Sequence, residues 1–129
     1  MKPQSAKAKG RMLQQWVRHK ILYHNPELKE DDVRSTSMGA GGEDVQLSPA
    51  ARVLFPYQTE CKNRSKMAIY ADYEQAQEHG DCEPLLIVKA NHKKPLAVVD
   101  AEHFFFMVRT LQESLTELRY KEQGHRDEI

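Results

Sequence analysis

The sequence predicts an α/β protein, a central mixed β-sheet flanked by helices in the order α-β-β-α-β-β-α. Three observations lead there. Apolar residues recur at helical spacing near both ends of the chain and once in the middle. Two near-continuous apolar runs, "PLLIV" and "PLAVV", have the length of strands and the composition of strands covered on both faces. Two further segments, Asp44–Leu47 and Tyr57–Lys62, read as strands separated by a capped turn of helix.

The first helix is predicted from about Ser5 to His24, with Leu13, Trp16, Val17 and Ile21 on its apolar side and Gly10 near its start. Pro26 ends it, and "HNPELKEDD" becomes a charged connector. The glycine-rich "STSMGAGGED" reads as a mobile loop leading to a short strand in which Val45 and Leu47 share a face. Ser48 before Pro49 is an N-cap with proline at the first helical position, so "SPAAR" is a helical turn that closes before Pro56. After the strand from Tyr57, Ser65 caps a helix to about His79 that turns Ile69, Tyr70, Tyr73 and Ala76 inward. Strands Leu85–Lys89 and Leu96–Val99 follow, joined by "ANHKK", and a last helix starts near Ala101. At 129 residues the chain is one domain, residues 1–122, with residues 1–8 flexible and 123–129 a disordered tail.

Charge is balanced, 19 basic against 19 acidic side chains, so net charge selects no partner. Its distribution is uneven: Lys2, Lys7, Lys9, Arg11, Arg18 and Lys20 occur in the first twenty residues without an acid. Such a run is a solvated helix face or a phosphate-contacting element. No signal peptide or membrane span is predicted, which points to a soluble cytoplasmic protein, in the host-cell cytoplasm if the chain is of phage origin. Two cysteines make no disulfide framework, and His79 with Cys82 falls short of the four ligands of a structural zinc.

The chemistry concentrates between residues 43 and 62. Alternation sends Glu60 and Lys62 to one face of their strand and Cys61 to the other. If this strand pairs with the one before it as a hairpin, Asp44 comes beside Glu60. Two carboxylates held together need a counter-charge, and a divalent cation supplies it. Asp44, Glu60 and the backbone carbonyl of Cys61 form an oxygen shell suited to Mg²⁺ or Mn²⁺. Lys62 would orient or deprotonate an attacking water, or stabilise charge on phosphorus. The predicted reaction is hydrolysis of a phosphodiester.

An acid, a hairpin-length gap, then Glu-x-Lys followed by a helix resembles the PD-(D/E)XK nuclease superfamily. Within it, Lys9-Gly10 opening a helix and Ser37 ahead of the glycine loop resemble archaeal Holliday junction resolvases and related phage endonucleases, over roughly residues 9 to 100. The resemblance implies a restriction-endonuclease-like fold and Mg²⁺-dependent cleavage of DNA in recombination, commonly by a homodimer. It implies metal ligation by Asp44 and Glu60 and catalysis by Lys62. Glu43 stands where the family motif has proline, and Gln14 where the resolvases carry an acid on the first helix. Both are read as groups set behind the metal ligands, with Gln14 acting through a metal-bound water. Gln75, on the helix after Lys62, is a third.

Lys9, Arg11, Ser37, Asn63, Arg64 and Lys66 are the candidate DNA contacts, together with "NHKK". Branched or junction DNA is the expected substrate, although the residues do not separate DNA from RNA. The alternative is a non-catalytic DNA-binding or assembly module on the same fold. Phe104, Val108, Leu111, Leu115 and Leu118 step by four and three. The first part of that seam is expected to pack on the sheet, and the later leucines against a twin subunit.

Overall fold

The structure is a computed structural model that describes residues 3–36 and 42–127. Ser37 and the rest of the glycine-rich loop to residue 41 lie outside the described residues. The chain divides into two compact units, one ending at Val98 and the other beginning at Val99.

In the first unit, helix α1 spans Pro3–His24. It starts well before Gly10, so residues 3–8 are helical. Its buried row is Leu13, Gln14, Val17 and Ile21, while Trp16 remains 41% exposed. The Asn25 side chain donates to the Ile21 carbonyl at 2.8 Å, closing the helix end ahead of Pro26. Arg18 donates to the carbonyls of Val33 at 2.6 Å and Glu30 at 2.8 Å, which commits this basic residue to structure.

A 3-10 turn at Glu30–Asp32 leads into strand β1, Val33–Ser35, which pairs antiparallel with β2, Val45–Leu47. Strand β1 is too short for its alternation to stand out from the charged connector around it. The base of this ribbon is tied by Ser48, whose N–H donates to the Asp32 carbonyl at 2.8 Å and whose hydroxyl donates to the Asp32 carboxylate at 2.7 Å. Ser48 also accepts from the Ala51 N–H at 3.1 Å, capping helix α2, Pro49–Leu54, as its sequence predicts.

Strand β3, Tyr57–Asn63, pairs parallel with β4, Glu83–Lys89, and β4 pairs antiparallel with β5, Leu96–Val98. Helix α3, Ile69–Gln77, is the crossover that a parallel pair requires. The expected β2–β3 hairpin ladder is absent because α2 intervenes and β2 takes β1 as its partner. Two small sheets result, of two and three strands, in a mixed α/β architecture. Strand β4 is buried from Leu85 to Val88, whereas Leu96 and Ala97 of β5 are exposed, since β5 is an outer strand.

Helix α3 begins four residues after Ser65, with Ala68 before it and no side-chain cap. Asp72 and Ala76 are buried, as expected for Ala76, while Ile69 and Tyr70, expected inward, are exposed. Asp72 is held by an ion pair with Arg64. At the other end, the Gln58 amide of β3 donates to the carbonyls of Ala76 at 2.7 Å, Gln77 at 3.1 Å and Gly80 at 3.2 Å. One side chain thereby satisfies carbonyls that a helix end leaves open. Gly80 fits this contact: a Cβ there would lie 3.1 Å from Gln58 Oε1.

The second unit is helix α4, Ala101–Asp127, opened by Asp100, whose carboxylate accepts from the His103 N–H at 3.0 Å. Residues 123–127 continue the helix rather than forming a disordered tail. Lys121 and Glu122 favour helix, and Lys121 pairs with Glu117 one turn back at 3.5 Å. Phe104, Val108, Leu111, Leu115 and Leu118 are all exposed, so the first part of this seam is not core.

Candidate active site

Strand alternation sets the two faces of β3. Cys61 and Asn63 face α1, where the Asn63 amide donates to the Lys9 carbonyl at 3.1 Å. Gln58, Glu60 and Lys62 face α3. Glu60 is 3% exposed, and Lys62 Nζ lies 3.2 Å from its Oε1.

Asp44 reaches this strand without a hairpin. Residues 59 and 61 direct their backbone groups away from β4 toward the open edge of the sheet. The Asp44 N–H donates to the Thr59 carbonyl at 2.9 Å, and the Asp44 carboxylate accepts from the Cys61 N–H at 2.7 Å. The Asp44 carbonyl in turn accepts from the Thr36 N–H at 2.8 Å, which links the β1–β2 ribbon to β3 through this one residue. The Cys61 carbonyl points to the same edge by strand geometry. Asp44, Glu60, Lys62 and the Cys61 carbonyl are therefore brought together.

His79 completes the cluster and was missed from the sequence as a partner of Glu60. Its Nε2 lies 2.5 Å from Glu60 Oε2. The cause is Gln58, which fixes the end of α3 against β3, so that the residues just beyond the helix fall over Glu60. A recognisable signal existed: Gln58 shares a strand face with Glu60, and the helix that follows must return to that face.

The electrostatics follow from burial. Asp44 is held above the usual carboxylate range, at about 6, by burial first and by the Glu60 charge. The Cys61 N–H, Lys62 and His79 work in the opposite direction. Burial, with Asp44 and Glu60 nearby, pushes the Cys61 thiol up, which makes it an inert packing group rather than a nucleophile.

Gln14 bears on the question of a metal. It is 6% exposed and its Oε1 has no hydrogen-bond partner among the described residues. Its neighbours bracket it: Gln15 donates to the Ser35 hydroxyl at 2.7 Å, and the Lys9 carbonyl meets Asn63. Gln14 thus lies along α1 between the residues that contact Asn63 and Ser35. Two carboxylates and an edge-facing carbonyl are oxygen donors of the kind a hard divalent cation takes. Against this, both Glu60 oxygens are already engaged, one by the Lys62 ammonium and the other by the His79 ring, and no group of three or more His, Cys, Asp or Glu side chains among the described residues is arranged to hold a metal ion.

Other predicted residues lie elsewhere. Glu43 precedes β2 and turns its carboxylate to Arg52, whose guanidinium also donates to the Tyr57 carbonyl at 2.6 Å, so it anchors α2. Gln75 is exposed on α3, whose buried positions are Asp72 and Ala76. Arg64 is committed to buried Asp72, while Arg11 and Lys66 are exposed. Lys9 donates to the Asn91 side chain at 2.6 Å. No protein-family model matches the chain, and no curated protein or solved structure matches it.

Proposed function

We propose that the chain is a divalent-metal-dependent endonuclease that hydrolyses phosphodiester bonds in DNA, acting on branched substrates as Holliday junction resolvases do, on a restriction-endonuclease-like fold. The observation that carries this reading is the contact of Asp44 with the open edge of β3, through Thr59 and Cys61, beside the Glu60–Lys62 pair. Two acids sixteen residues apart in sequence, Asp44 and Glu60, meet at one strand with Lys62 beside them, the relation that the acid and Glu-x-Lys motif requires.

Asp44, Glu60 and the Cys61 carbonyl would hold Mg²⁺ or Mn²⁺. When bound, the cation supplies Lewis acidity toward the phosphate and makes water a better nucleophile. Lys62 holds a positive charge beside Glu60, where it stabilises charge developing on a phosphate oxygen. His79 orients the Glu60 carboxylate from the other side. Gln14 offers an acceptor to water at the rim.

A non-catalytic DNA-binding module is the second reading. It is favoured by the engagement of both Glu60 oxygens with Lys62 and His79, an arrangement that also serves as a structural ion-pair cluster. The deciding experiment offers labelled four-way junction, flap, duplex and single-stranded DNA with Mg²⁺ or Mn²⁺, in parallel with Glu60→Gln and Lys62→Ala. Symmetric junction cuts lost in both variants support the resolvase reading. Absence of metal-dependent cutting on every substrate favours the binding module instead.

A further inference from the structure

Beside the carboxyl ends of β3 and β4, on the α1 side of the sheet, lies a cleft of about 340 Å³ whose lining includes Lys9, Met12, Trp16, Asn63, Lys89 and Asn91. Ligands of open α/β sheets gather at the carboxyl ends of parallel strands. This volume is at the small end of ligand sites, enough for one nucleoside-sized group.

The floor is apolar and accessible: Trp16 is 41% and Met12 70% exposed. The rim is polar and basic. Lys9 Nζ donates to Asn91 Oδ1 at 2.6 Å, and the Asn63 amide meets the Lys9 carbonyl at 3.1 Å. Asn91 is set at the lip by the turn between β4 and β5, which closes from the Lys93 N–H to the Ala90 carbonyl at 3.2 Å with His92 at φ 61°. Lys20 Nζ sits 5.4 Å from the Trp16 ring centre, adding a cation on the same helix.

Among the described residues, no acidic side chain lines the cleft. Helix α1 contains no Asp or Glu, and neither does the chain from Pro84 to Val99. A basic lip over an accessible indole suits a polyanion that also presents flat aromatic groups, with the phosphates on the lysines and a base on the ring. A duplex keeps its bases stacked and cannot fill such a cleft with one.

We propose that this cleft binds an unpaired nucleotide of single-stranded DNA, with its base stacked on Trp16 and its flanking phosphates on Lys9 and Lys89. The choice of nucleic acid rests on the nuclease reading above, while the cleft itself uses none of the acidic cluster. Asn63 links the two. It follows Lys62 on β3 and faces the cleft, so a strand leaving the cleft over the end of β3 arrives at Lys62 and Glu60. The site would thus select substrates that carry an unpaired segment next to the scissile bond.

Trp16 is the sole tryptophan, so its emission reports the cleft directly. The whole chain is titrated with an oligothymidylate of about a dozen nucleotides and with a duplex of equal length, in chelator so that nothing is cleaved. The expected result is quenching of Trp16 by the single strand and little by the duplex. By anisotropy of a labelled strand, Trp16→Ala weakens single-strand affinity by about ten- to a hundredfold. Asn91→Ala, at an exposed turn, weakens it severalfold and guards against misfolding of the first variant. Equal quenching by duplex, or tight binding with no change in Trp16 emission, overturns the proposal. So does a concentration-dependent blue shift that nucleic acid does not reverse, which would mean that protein fills the cleft. Quenching without metal-dependent cutting of any substrate leaves the cleft standing and removes the nuclease. Junction cutting with silent Trp16 does the opposite.

Discussion

The two faces of β3 are held in place by different forces. Toward α1, buried Cys61 lies on the side of the strand that meets the α1 row of Leu13, Val17 and Ile21, and this side is held together by packing. Toward α3, Gln58 and Glu60 are equally buried, and that face is held by hydrogen bonds and ion pairs. Two adjacent residues of one strand thus serve opposite ends. The apolar face stabilises, because burying a large aliphatic side chain contributes about 1.5–3 kcal/mol. The polar face contributes little net stability, because desolvating charges costs about what their pairing returns. A fold that keeps such a face gains a preorganised charge array rather than free energy.

The largest effect should come from breaking the polar face. Glu60→Gln should reduce metal-dependent cleavage by about a thousandfold, and Lys62→Ala by about a hundred- to a thousandfold, with far-ultraviolet circular dichroism unchanged. Global unfolding of either variant would make the cluster structural. Next comes the opposite face: Leu13→Ala, at a side chain only 2% exposed, should lower unfolding free energy by about 2–5 kcal/mol in urea denaturation. A loss under about 1 kcal/mol would show that α1 is not part of the packed core.

A smaller effect is expected from pH. Asp44 has its folded-state pKa raised from 3.8 to about 6, so the folded chain holds this proton where the unfolded chain releases it. Its contribution is fully present below about pH 4 and is lost as pH rises through 6, by about 1–2 kcal/mol once solvent screening is allowed for. Melting temperatures of the metal-free chain and of Asp44→Asn, compared from pH 4 to 7, should diverge in favour of the variant as pH rises. Parallel curves would remove the burial argument for Asp44. The smallest effect belongs to Gln75→Ala, which should leave stability within about 0.5 kcal/mol and cleavage unchanged, since the side chain is exposed on the outer surface of α3.

Much of the site could be read before the fold. Period-two alternation puts Glu60 and Lys62 together in any strand, whatever its neighbours, and their 3.2 Å contact follows. The cap at Ser48–Pro49 was equally legible, because capping is local chemistry. The inward face of α3 was misread because its start depends on the Arg64–Asp72 ion pair and on Gln58 at its far end, contacts made across the fold. His79 was overlooked as a partner of Glu60 for the same reason.

What the sequence by itself determined is therefore local: the existence and kind of most elements, and the pairing of residues two apart in a strand. Which strands lie side by side was decided only in three dimensions. Asp44 meets Glu60 not through a hairpin but because β2 pairs with β1 and its leading residue bonds to the open edge of β3. Strand pairing is non-local, and many partners satisfy the same alternation. The choice among them rests on helices such as α2, which turn the chain away, and on single side chains such as Gln58, which bring it back.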